Sequence, residues 1–158
     1  MKKFYFLVLA FFLMSFTIPN NFSYKVLFFI NENFVSGQKS SEIYPLLFET
    51  LDQTTNDLSF NLKSKSSQIY KTHEANCVGY TSYYNTLLIK NLKERQIGNI
   101  KVSHARVKVH FLNMNLHIFK SPSLKDHDIS IVKNITTGDV YYVDPSLSEV
   151  FGNIIIKQ

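Results

Sequence analysis

His127-Asp128-Ile129-Ser130-Ile131-Val132-Lys133-Asn134-Ile135-Thr136-Thr137-Gly138-Asp139-Val140-Tyr141-Tyr142-Val143-Asp144 is the stretch that decides the fold. Two apolar runs flank the turn-forming residues Asn134 to Thr137, with Gly138 next, and this is how a β-hairpin is written. A four-residue loop at 134–137 predicts that Lys133 pairs with Gly138, Ile131 with Val140, Ile129 with Tyr142 and His127 with Asp144. Side chains alternate along a strand. His127, Ile129, Ile131, Val140, Tyr142 and Asp144 therefore share one face, mostly apolar and so inward. Asp128, Ser130 and Asp139, with Val132, Tyr141 and Val143, take the other face. In this register His127 and Asp144 stand directly opposite, with Cβ atoms about 5 Å apart. A carboxylate so placed fixes the imidazole tautomer and stabilises imidazolium. A five-residue loop through Gly138 would shift the register by one and weaken the pairing.

Working upstream, Cys77 is the only cysteine, within Glu74-Ala75-Asn76-Cys77-Val78-Gly79-Tyr80. It opens a helical pattern in which Cys77, Tyr80, Tyr84, Leu87 and Leu88 fall on one face. Lys90, Lys93 and Arg95 crowd the negative end of this helix, and Gly98 is a natural stop. A thiol at the positive end is favoured as thiolate. The hairpin's inward face is where this helix is expected to pack. A lone thiol at a helix start, followed in order by His127 and Asp144 on strands, is the pattern of a nucleophilic triad. The plain alternative is a buried cysteine acting as a small hydrophobe.

Beyond Gly98, Ala105, Val107, Val109 and Phe111 alternate with His104, Arg106, Lys108 and His110, a strand with one apolar face. His104 and His110 are expected to face solvent with the basic residues. Leu116 to Phe119 reads as a further short strand. Nearer the N-terminus, Ser40 or Ser41 caps a helix through Ile43, Leu46, Leu47 and Leu51, with Pro45 in its first turn. Asn31 to Ser41 reads as a linker and Thr54 to Ser67 as a loop, where alternating Leu58, Phe60 and Leu62 hint at a strand.

The chain of 158 residues suits one domain with a sizeable core, and 45% hydrophobic with 18% charged residues excludes a disordered class. Met1-Lys2-Lys3 and the apolar run Phe4 to Phe16 have the shape of a signal peptide or N-terminal anchor over 1–23, leaving residues 24–158 as the domain. The run is short for a spanning helix, which needs about 20 apolar residues. The expected location is therefore secreted or cell-envelope, with a candidate membrane tether through residues 4–16. One cysteine cannot form an internal disulfide. Net charge is +5 with the basic residues scattered, so nucleic acid is not an expected partner.

Asn76-Cys77-Val78-Gly79-Tyr80, His127-Asp128-Ile129-Ser130-Ile131 and Tyr142-Val143-Asp144-Pro145-Ser146 together resemble the transglutaminase-like superfamily of papain-fold proteins, over about Thr72 to Ser148. The resemblance implies an α+β fold in which the nucleophile-bearing helix packs on a small antiparallel sheet. It implies thiolate attack on a carboxamide or peptide carbonyl through a thioester, with a protein or peptide substrate and no cofactor. Cys77 would be nucleophile, His127 general acid/base and Asp144 the orienting carboxylate. The chain departs from many relatives in having no Trp; the Cys77 N–H is one expected oxyanion donor, and the second is open between Asn76 and Gln68. A non-catalytic module of the same fold, binding a protein or envelope polymer, is the competing reading. A metal site through His73 and Cys77, with His104, His110 and His117 available, lacks the clustered spacing of structural zinc.

Overall fold

The alternating runs become strands of one sheet, and the helical runs cover it. A computed structural model of the chain describes residues 22–37, 43–65, 68–111, 114–115 and 126–158. In chain order the elements are β1 (Phe22–Val35), α1 (Tyr44–Asp57), β2 (Ser59–Phe60), α2 (Ile69–Thr72), β3 (Glu74–Ala75), α3 (Cys77–Glu94), β4 (Ile100–Phe111), β5 (Met114–Asn115), β6 (Asp126–Asn134), β7 (Val140–Val143), α4 (Pro145–Phe151) and β8 (Ile155–Lys157). The sheet runs β1-β4-β6-β7-β8 with β5 attached to β4, and its pairs are antiparallel. β2 and β3 form a separate parallel pair. This is an α+β architecture.

Asn76 explains where α3 begins. Its extended backbone and its Oδ1, which accepts the Gly79 N–H at 3.0 Å, make it the N-cap. Tyr80, Tyr84, Leu88 and Leu92 then recur every fourth residue as a fully buried stripe. The helix ends before Gly98, whose role is different. A Cβ there would lie 1.7 Å from the Gly37 nitrogen, so glycine permits two backbone segments to touch.

Several sequence expectations need correction. Asn31 to Val35 is not linker but the end of β1, with Val35 paired to Ile100 and buried. Thr54 to Asp57 belongs to α1 rather than a loop. Thr54 and Thr55 donate their hydroxyls to Thr50 O and Leu51 O at 2.8 and 3.2 Å, so these polar residues are satisfied inside the helix. Ile43, not a serine, sits at the cap position of α1, with Pro45 in the first turn. Ser40, Ser41, the leader, Leu116–Phe119 and His117 lie outside the described residues. Among the described residues no helix is long and apolar enough to cross a membrane.

The hairpin register also differs. Lys133 pairs with Val140, Val132 with Tyr141, Ile131 with Tyr142 and Ser130 with Val143. That is a shift of two from the expected pairing, because the connection also takes in Gly138, at φ 81°, and Asp139. Asn134 holds this turn by accepting the N–H groups of Thr136 and Thr137 at 2.9 and 3.2 Å. A shift of two leaves every side chain on its expected face.

The larger correction concerns which face α3 covers. Tyr84, Leu88 and Leu92 of its stripe pack with Val102, Val132, Tyr141 and Val143, together with Leu46, Leu47 and Leu51 of α1. Ile129 and Ile131 face the other way, into a cluster with Ala105, Val107, Val109, Leu147 and Ile154. The central strands are buried on both sides. Apolar alternation marked one core face, but Val132, Tyr141 and Val143 make the second face apolar enough to take the helices.

Candidate active site

His127 and Asp144 meet as the sequence predicts, by a different route. Continuing the β6–β7 register by one step sets Asp144 beside Ile129, diagonal to His127. Diagonal neighbours remain within reach of long side chains. Here His127 Nδ1 lies 3.0 Å from Asp144 Oδ2, and both side chains are buried. The ring N–H is not well aligned on that oxygen, so the contact is a close charge pairing rather than a linear hydrogen bond.

Asp144 is fixed from several directions. Its Oδ1 accepts the Leu147 N–H at 3.1 Å and the Ser146 hydroxyl at 3.2 Å, which makes it the N-cap of α4. Tyr24 donates its hydroxyl to Oδ2 at 3.3 Å. Burial, and then Asp144 itself, holds the Tyr24 phenol well above its ordinary range, so it stays a donor. Tyr24 lies 120 residues away in sequence, and no spacing could have found it. Pro145 follows directly and opens the helix with its fixed φ.

Burial lowers the His127 pKa, but Asp144 outweighs it and Asp128 adds to the rise, leaving the imidazole above its ordinary value. The consequence for stability has a definite sign. Folding takes up a proton between the unfolded value, about 6.5, and the raised folded value. The contribution of His127 is therefore complete below about pH 6.5 and fades as pH rises through the folded pKa. Urea unfolding of wild type and His127→Gln should show a stability gap that is wider at low pH and narrows on the alkaline side of neutrality.

Cys77 stands at the start of α3, partly exposed, with its thiol against β6. Its thiol donates to Asp128 Oδ2 at 3.8 Å, and among the described residues no hydrogen bond joins it to the His127 ring. Burial first, then Asp128, pushes the thiol up to about 11, with Asp144 adding to this and backbone hydrogen bonds at Asp128 and Val78 opposing it. The expected thiolate-favouring helix end is outweighed. A helix terminus is worth about 1 kcal/mol, less than one pK unit, against burial and two carboxylates.

Sequence reasoning missed Asp128 and misassigned His104. His104 is buried, not solvent-facing, and its Nε2 lies 3.0 Å from Asp128 Oδ1. Arg106 Nη2 approaches Asp128 Oδ2 at 3.6 Å from a half-exposed position. Thr81 ties the same residue to α3 by donating to its backbone oxygen at 2.8 Å. β4 sets His104 and Arg106 on the face that α3 covers, and alternation gave the shared face but not the helix lying on it. His110 is only partly buried.

Asn76 is committed as a cap and donates its amide to Ser64 O at 3.2 Å, so it is not poised as an oxyanion donor. Tyr80 is fully buried and donates its hydroxyl to Leu58 O and Glu149. His73 Nδ1 sits 3.1 Å from Asp57 O, and among the described residues no group of three His, Cys, Asp or Glu side chains could hold a metal. Comparisons with known proteins found no matching family model, no matching curated protein and no matching solved structure.

Proposed function

We propose that the chain is a thiol acyl-transfer enzyme of transglutaminase-like, papain-type design, acting on a carboxamide or peptide bond through a Cys77 thioester. The observation that carries this reading is the buried His127–Asp144 contact at 3.0 Å, formed between residues singled out by order and alternation. Asp144 engages Nδ1, which leaves Nε2 as the nitrogen that exchanges protons. In the reaction the Cys77 proton goes to Nε2 as sulfur bonds to the carbonyl carbon. The imidazolium then gives that proton to the departing amine as the C–N bond breaks. Water or a second amine attacks the thioester, and the thiol is restored. The Cys77 N–H at the start of α3 is the first oxyanion donor in this scheme. The basic head and the apolar run at residues 4–16 support an exported or envelope-tethered protein.

A second reading, a non-catalytic module of the same design, draws on one specific observation: the thiol rests on Asp128 and is pushed up to about 11. The two part on acylation by p-nitrophenyl acetate, a general acyl donor. The enzyme reading expects one acetyl group on Cys77, seen by mass spectrometry, forming about 100-fold more slowly in His127→Ala. Equal rates in wild type and His127→Ala would leave only the binding module.

A further inference from the structure

Asp128 is a buried acid that the proposed reaction does not use, and its surroundings are unusually complete. Its side chain is 1% exposed. Oδ1 is held by His104 Nε2 at 3.0 Å. Oδ2 faces Arg106 at 3.6 Å and accepts from the Cys77 thiol at 3.8 Å. Burying a lone carboxylate costs several kcal/mol, so such a group stays ionised only where partners repay it. His104 and Arg106 sit on β4, and from α3 the partly exposed Cys77 brings its sulfur to the same carboxylate. His127 and Asp128 are adjacent on β6 and project to opposite faces. The side-chain hydrogen bond that the thiol makes among the described residues goes to the carboxylate, not to the imidazole.

We propose that Asp128, oriented by His104 and Arg106, is a positioning residue that holds the Cys77 thiol in a protonated resting state. The resting contact goes beyond the acyl-transfer reading and stands whether or not the chain is an enzyme. The groups that bear on the thiol are Asp128 and His127 on β6, His104 and Arg106 on β4, and Asp144 ahead of α4; α3 adds no acid in its first turn. A carboxylate against the sulfur disfavours thiolate, and removal of its charge must favour it. Removal of His104 acts the other way, because it takes a hydrogen-bond donor from Asp128 and leaves the negative charge beside the sulfur less compensated.

The test is the pH profile of Cys77 alkylation by iodoacetamide in the full-length chain, for wild type, Asp128→Asn and His104→Leu, with folding checked by circular dichroism. Asp128→Asn is expected to lower the alkylation midpoint by about one pH unit. At pH 8 that gives about tenfold more thiolate, reduced to about threefold faster labelling because a less basic thiolate is a weaker nucleophile. His104→Leu, which leaves no donor facing Asp128, is expected to slow labelling by a similar factor. General loosening of the site would expose the thiol and speed both variants, so the opposite signs are the diagnostic. Shifts in the same direction, or none, overturn the proposal. If Asp128→Asn does not fold, His104→Leu decides alone, with equal or faster labelling overturning it. Failure here is distinct from failure of the enzyme reading, which is scored by acetylation in His127→Ala.

Discussion

Asp144→Ala is expected to cost about 3–5 kcal/mol of folding stability, the range for removing one member of a buried ion pair. Three losses coincide at this one carboxylate. His127 is left buried without its counter-charge, the Tyr24 hydroxyl loses its acceptor, and α4 loses the cap on the Leu147 N–H. A cap alone is worth about 1 kcal/mol. The pairing and the cap can be separated, because Asn is as good an N-cap as Asp but carries no charge. Asp144→Asn should therefore keep α4 and recover about 1 kcal/mol or more of the alanine loss, while His127 titrates lower than in wild type. Equilibrium urea unfolding gives the energies, and the imidazole proton resonances give the titration. Equal losses for Asn and Ala would mean that the charge pairing carries the whole effect.

The comparison with Asp128 sharpens the point. Both acids are buried against a histidine nitrogen at 3.0 Å, Asp128 within β6 and Asp144 just past the end of β7. Asp144 has α4 hanging from it, so its removal propagates into backbone. Asp128 anchors side chains and, through its own backbone oxygen, Thr81. A strand buried on both faces can hold two such pairs back to back, and the Cys77 thiol rests on the Asp128 one.

How much of this was legible in the chain follows from the range over which each signal acts. α3 was readable because Tyr80, Tyr84 and Leu88 repeat at helical spacing, and β4 because Ala105, Val107 and Val109 alternate. The His127–Asp144 contact survived an error in register because the error was an even number of residues; an odd one would have turned Asp144 to the other face. The side that α3 covers was not readable. A pattern of period two identifies faces but not their occupants when both are substantially apolar. His104 was misread for the same reason: its neighbours Arg106 and Lys108 are solvent-seeking, but its position on β4 lies under α3, where Asp128 compensates it. Tyr24 and Asp128 required the fold itself. Their partners are 120 and 51 residues distant.

Two-sided burial of β6 yields the second large effect. Leu88 on α3 and Ile129 on β6 are both fully buried but belong to separate apolar clusters on opposite faces of the sheet. Leu88→Ala and Ile129→Ala should each cost about 2–5 kcal/mol, the transfer loss plus the cavity left behind. Against a total of roughly 5–15 kcal/mol for a single domain, either one is a large fraction. Clusters that share no side chain respond independently, so the double variant should lose the sum to within about 0.5 kcal/mol, and it would be near the limit of folding. Leu87, one position off the stripe and only partly buried, should lose less than Leu88 when cut to alanine. A sheet with one solvated face, as in a simple two-layer packing, predicts a small cost at Ile129. Denaturant midpoints for these variants distinguish the two arrangements: near-equal losses at Leu88 and Ile129 require a core on each side of the strand that carries His127 and Asp128.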